Sequence, residues 1–192
     1  MNFYFFMISI LLVSGFVGSV FAQQIIQLTP QEFSQEEIDE MKHKAVLITM
    51  HEGTFTIEFF PEDAPNTVYN FLKLVESGYY DGIVFHRIIP GFMIQAGDPN
   101  TKNPEVDRSL WGKGGPGYQI NAEFNTLQHD RGVVSMARSS HPDTAGSQFL
   151  LCIKIQIFLT GNTPPLENYY QAHSAIVHLI RLQALGQQQT YH

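Results

Sequence analysis

The apolar and polar positions of the chain change rhythm several times. The first stretch, MNFYFFMISILLVSGFVGSVFA, is predominantly apolar and carries no charged side chain. A polar, acidic segment follows, residues 23–42, and it reads as a solvated linker or short helix. From Ala45 the run AVLITMHEGTFTIEFF alternates on either side of Glu52-Gly53, which predicts a hairpin with glycine where a positive φ is needed. The next segment, PEDAPNTVYNFLKLVESG, places Val68, Phe71, Leu72 and Val75 at helical spacing. Asp63 or Asn66 is the expected cap at its start, and Gly78 closes it. Beyond it, IVFHRII, FMIQAG, GYQINAEF, GVVSMAR and SQFLLCI are short strand-like runs separated by turn signals. A hairpin, a helix and many short strands predict a mainly β fold, a closed antiparallel barrel with helices over its ends.

Composition narrows this picture. The 192 residues suffice for one domain with a real core, and 44% hydrophobic content with 15% charged is that of a globular chain. The net charge of -7 argues against nucleic acid as a partner, because phosphate binding needs clustered Lys and Arg. With Cys152 as the sole cysteine, neither an internal disulfide nor a paired-thiolate metal site is possible, and in FLLCI it reads as a small buried hydrophobe. The ending Val20-Phe21-Ala22 fits a secretory signal peptide, residues 1–22, cut after Ala22. No Lys or Arg precedes its apolar region, and uncut it is long enough to span a bilayer. The expectation is an exported domain, membrane-associated only if the leader stays.

Most familiar catalytic patterns are missing. GKGGPG (112–117) formally fits G-x-G-x-x-G, but Pro116 sits inside it and no helix follows, so it reads as a loop. The eight histidines lack ligand spacing, and Ser147 in AGSQF is not a nucleophile elbow. No metal and no cofactor is expected. What stands out is FHRIIPGFMIQAGDP, where Arg87 and Gln95 lie among Phe85, Ile88, Phe92 and Met93. Two-residue periodicity points Phe85 and Arg87 the same way. Gln148 in GSQFLL is a second amide entering an apolar strand. On pattern alone, Arg87 is either a surface arginine beside a strand or one arm of a shallow apolar pocket suited to a backbone carbonyl next to a nonpolar ring.

FHRIIPGFMIQAGDP, GVVSMAR and TAGSQFLLC, in that order, resemble the cyclophilin family of peptidyl-prolyl cis-trans isomerases, with APNTVYNFLKLVESGYYDG matching as well. The resemblance covers about Ala45 to Gly161. It implies a closed eight-stranded antiparallel barrel capped by two helices. It also implies Arg87 as the catalytic arginine, Phe92 and Met93 as walls of a proline pocket, and Leu150 where the family often has phenylalanine. Gln95 and Gln148 match substrate-bonding glutamines, and Ala137 and Arg138 the pair beside the preceding substrate residue. Leu159 matches the last pocket wall, with Phe158 where some members have tryptophan. The implied partners are Pro-containing peptides and unfolded proteins, bound by a monomer.

After Gly161 the pattern breaks. NTPPLENYYQA carries two prolines where an inner barrel strand should lie. One extra purine in the codon of Asn162 lets the next codons spell Lys-Tyr-Thr-Ala-Phe-Gly-Lys-Leu-Leu-Pro-Gly, which fits the absent family segment. The expectation is a local slip of reading frame from Asn162 to about Ala172 that disrupts the last barrel strand. SAIVHLIRLQALG then reads as a helix from Ser174 closed by Gly186, ending a domain at 43–186 with a tail at 187–192. Three functions are therefore weighed: an exported isomerase assisting folding, a weakly active or inactive proline-peptide-binding module, and a membrane-anchored scaffold.

Overall fold

The computed structural model describes residues 25–51 and 53–153, together with the backbone of 175–177. The leader, Phe158, Leu159 and the divergent 162–172 lie outside the described residues. Elements run in the order β1 (Ile26–Gln27), α1 (Gln35–Lys42), β2 (Ala45–Met50), β3 (Gly53–Glu58) and α2 (Pro65–Glu76). They continue with β4 (Arg87–Ile89), β5 (Met93–Ala96), β6 (Tyr118–Gln119), β7 (Val134–Met136), β8 (Phe149–Cys152) and β9 (Ala175–Val177). The fold is mainly β with two α-helices, as read from the pattern. Its described strands form three ladders: an antiparallel sheet in the order β4-β5-β8-β7-β9, the hairpin β2-β3, and a parallel pair β1-β6.

Alternation decides which side of the hairpin is inside. In β3, Phe55 and Ile57 are buried while Thr54 and Thr56 are less so. The register pairs Met50 with Gly53, so Gly53 begins the strand rather than completing the turn; its φ of +144° still suits glycine.

Helix α2 buries Val68, Phe71 and Leu72 against the sheet, as its spacing predicts. Its C-terminus closes at Gly78 (φ +70°) with the Tyr79 N–H on the Leu74 carbonyl (2.9 Å) and the Gly78 N–H on that of Val75 (3.0 Å). Its N-terminus corrects the sequence reading, because neither Asp63 nor Asn66 caps it. Pro65 occupies the first turn, and the Glu123 carboxylate arrives from 56 residues away to accept from the Thr67 N–H (2.7 Å) and Oγ1 (2.6 Å). Its other oxygen accepts from the Asn66 N–H (3.0 Å) and Nδ2 (3.1 Å). An anion at exposed helix N–H groups serves the same end as a local cap. Glu123→Ala is expected to destabilise the fold by about 0.5–2 kcal/mol, the usual cost of losing a cap, read as a lower urea midpoint.

The acidic segment before the hairpin takes up the helical of its two readings. Ser34 and Glu37 form a reciprocal capping box at the start of α1. The segment is not solvated throughout: Met41 is buried in the main cluster, and Phe33 and Ile38 pack against it.

The helix expected over 174–186 is corrected at its start, and its remainder, 178–186, lies outside the described residues. Residues 175–177 form β9, antiparallel to β7, with Val134 opposite Val177 and Ser135 opposite Ala175. The backbone groups on that edge of β7 need partners, and Ala-Ile-Val suits an extended chain better than a helix start.

Candidate active site

The sheet's period of two sorts its residues into opposite faces. On one face Ala96, Val134, Met136, Phe149 and Leu151 enter the main core. The residues between them face the other way, and they include most of the residues singled out from the sequence. Arg87 lies opposite Gln95, Gln95 opposite Leu150, and Leu150 opposite Ser135. One pleat along, Ile89 lies opposite Met93, and Met93 opposite Cys152.

The hairpin that joins β4 to β5 creates this arrangement. It turns through Pro90 and Gly91, with Gly91 at φ +72° and the Phe92 N–H on the Ile89 carbonyl at 3.0 Å. Phe85 departs from the alternation expected of it. It precedes β4 and packs edge-on against the Phe149 ring (centroids 6.3 Å apart), on the core side. Strand periodicity holds only inside the strand, and β4 begins at Arg87.

Met93, Leu150 and Cys152 form a second, smaller buried cluster, with Ile89 and Phe92 packed against it. Burial pushes the Cys152 thiol up to about 11, with Asp130 adding in the same direction, so it is a packing group at neutral pH. Beside this cluster runs a line of polar groups. Arg87 Nη1 approaches Gln95 Oε1 at 3.4 Å, Gln95 Nε2 donates to Gln148 Oε1 at 2.9 Å, and Gln148 Nε2 donates to the Gly114 carbonyl at 2.8 Å. Gln95 is only 4% exposed, so these bonds are what make its burial tolerable. Burial is the chief cause that lowers the proton affinity of His86, Arg87 adds to that, and Asp98 and the Val84 backbone only partly oppose it.

A cavity of about 880 Å³ opens on the amide side of this line. Gln95, Gln148, Ala137, Arg138 and the loop of Gly112 to Tyr118 line it. Arg87, Phe92, Met93 and Leu150 lie outside that lining, so the apolar cluster and the cavity flank the glutamines from two sides. The Ala137 N–H donates to the Gln148 carbonyl (2.8 Å) and is taken up by the sheet. Arg138 turns its guanidinium back on its own loop, donating to the Ser139 (3.0 Å) and Ser140 (3.2 Å) carbonyls. Gly114 is the residue that sequence reading passed over. GKGGPG is a loop as expected, and its placement against Gln148 rests on a contact 34 residues long in sequence.

A cation thus lies beside a small apolar cluster, and two amides lead from it to an open cavity. The chain matches the description of the cyclophilin type peptidyl-prolyl cis-trans isomerase family over residues 30–173. It is 47% identical over 118 residues to a peptidyl-prolyl cis-trans isomerase of Synechococcus elongatus, covering 62% of this chain and 74% of that protein. A peptidyl-prolyl cis-trans isomerase of Schizosaccharomyces pombe is 39% identical over 143 residues, which are 74% of this chain but 22% of that longer protein. A crystal structure of a cyclophilin type isomerase from Cryptosporidium parvum superposes with a TM-score of 0.56 at 31% identity, covering 71% of this chain and 76% of that one. A second structure of it, in the presence of the dipeptide Ala-Pro, gives a TM-score of 0.52 at 31% identity, covering 70% and 95%. The chain belongs to the cyclophilin type peptidyl-prolyl cis-trans isomerase family, a family of isomerases.

Proposed function

We propose that this chain accelerates rotation about X–Pro peptide bonds and assists the folding of Pro-containing proteins outside the cytoplasm. The observation that carries the reading is Arg87, tethered to Gln95 on the same sheet face as Met93 and Leu150. Twisting an amide costs about 18–20 kcal/mol because the C–N bond loses its double-bond character. X–Pro bonds populate both isomers yet exchange over tens to hundreds of seconds uncatalysed. As the bond twists, the prolyl nitrogen becomes pyramidal and gains a lone pair. A guanidinium aimed there binds the twisted state better than the planar one, and that difference lowers the barrier. The apolar cluster of Met93, Leu150 and Phe92 gives the proline ring a dry seat, and Gln95 and Gln148 offer bonds to the flanking backbone.

In this reading the strands close into the family's eight-stranded barrel, the leader directs export, and a monomer suffices. The Ala-Pro dipeptide in the Cryptosporidium parvum structure supports a proline peptide as the ligand class. The test is a proteolysis-coupled isomerisation assay of the full chain on an X–Pro tetrapeptide. Catalysed turnover is expected; protection of the peptide without faster exchange would make the chain a binding module instead.

A further inference from the structure

Asp98 is fully buried at 0% exposure, and a lone carboxylate in that position is costly unless it is well bonded. Its partners are all backbone N–H groups. Oδ1 accepts from Asn100 at 2.8 Å, and Oδ2 accepts from Gly114 at 3.1 Å and from Gly112. Bonds from N–H groups to a carboxylate are among the stronger ones a protein makes. Those of Gly112 and Gly114 fasten the glycine loop to the end of β5. The loop's composition follows from this contact. Gly112 sits at φ +87°, and a Cβ on Gly114 would lie 2.2 Å from Asp98 Oδ1. The motif that failed as a nucleotide loop is thus a cradle for a carboxylate of its own chain.

Gly114 uses both of its backbone groups. Its N–H is held by Asp98, and its carbonyl accepts from Gln148 Nε2 at 2.8 Å. Gln148 in turn receives Gln95, which approaches Arg87. We propose that Asp98 is a positioning residue for Arg87, acting through the Gly112–Gly114 loop, Gln148 and Gln95. The chain of contacts fixes which way each amide points: Gln148 must present its oxygen to Gln95 because its nitrogen is engaged by Gly114. Gln95 must then present its oxygen to the guanidinium. Release of the loop lets both amides turn, and Arg87 loses Gln95 Oε1 as an acceptor.

The inference rests on the reading of Arg87 as the catalytic cation, and the test separates the two. In the full chain, Asp98→Asn and Asp98→Ala are compared with Asp107→Ala. Asp107 accepts from Ser109 at 2.8 Å in the same region but is not part of the line to Gln148. The side-chain amide resonances of Gln95 and Gln148 are followed by NMR, and kcat and KM are measured on an X–Pro tetrapeptide. Both Asp98 variants are expected to shift the two amide resonances and to lower kcat about three- to tenfold with KM changed less, while Asp107→Ala alters neither. In an Arg87→Ala background, Asp98→Asn is expected to cost nothing further, since groups acting as one unit are not additive. Unmoved amide resonances in folded Asp98→Asn overturn the proposal. So does an equal loss of activity in the Arg87→Ala background, which marks a merely structural role. If the unaltered chain shows no turnover, the reading of Arg87 fails, and the amide resonances alone still decide whether Asp98 sets the two glutamines.

Discussion

Arg87→Ala is expected to lower kcat/KM for an X–Pro peptide by about tenfold to a hundredfold, because a hydrogen bond to a charged group is worth about 1.5–3 kcal/mol. The loss should fall on kcat rather than KM. A planar prolyl amide has no lone pair on nitrogen for the guanidinium to meet, so the bond exists only as the transition state is approached. Arg87→Lys should recover only part of the activity. The guanidinium is a planar fork that can meet Gln95 Oε1 and the prolyl nitrogen with different N–H groups, whereas an ammonium is a compact point donor on a flexible stem. Stability should hardly change, since Arg87 lies on the sheet face away from the main core. The measurement is steady-state isomerisation beside a thermal melt of each variant. An Arg87→Ala enzyme within twofold of the parent would remove the guanidinium from the mechanism and leave the apolar seat to account for the whole rate.

The parts of the site legible in the sequence were those governed by local rules. Arg87 and Gln95 are eight residues apart across a tight turn, and two-residue periodicity inside β4 and β5 places them on one face once the turn at Pro90-Gly91 is recognised. Leu150 and Cys152 follow by the same alternation in β8, while Gln148 precedes that strand and is placed by its bonds to Gln95 and Gly114. Pattern alone left Arg87 between a surface residue and one arm of a pocket, and the resemblance supplied the roles.

What the sequence hid were contacts made across long separations and the limits of each strand. Phe85 looked like a companion of Arg87 because alternation was extended past the start of β4. Glu123 as the cap of α2, Met41 as a core residue and Gly114 as the acceptor for Gln148 depend on segments meeting only in the folded state. A short polar side chain near a helix start is a sound local cap signal, yet a carboxylate delivered by tertiary structure displaced it here. The three-residue β9 was hidden differently: its strand state depends on the edge of β7, which the segment meets only in the folded chain.

Phe71→Ala should produce the largest loss of stability, about 3–5 kcal/mol, the range for removing a buried phenylalanine and leaving a cavity. Phe71 is 1% exposed and packs α2 on three rings, of which that of Phe149 belongs to the sheet. Its centroid lies 5.0 Å from Tyr80, 5.5 Å from Phe149 in an edge-on arrangement, and 5.9 Å from Phe59. No neighbour can fill the void cheaply, because these rings also pack on one another: Tyr80 lies 5.7 Å from Phe149, again edge-on. For a domain of this size the melting temperature should drop by about 6–20 °C. Activity per folded molecule should nonetheless survive at low temperature. Phe149 meets Phe71 on the core face, whereas Gln148 and Leu150 on either side of it face the site. The two substitutions therefore make opposite predictions, with Arg87→Ala lowering turnover at an unchanged melting point and Phe71→Ala lowering the melting point at unchanged turnover. A Phe71→Ala chain that melts normally would refute the packing of α2 described here. One that stays folded yet loses turnover would mean that the two faces of the sheet are coupled, and that the site is held as much by the core behind it as by the polar line beside it.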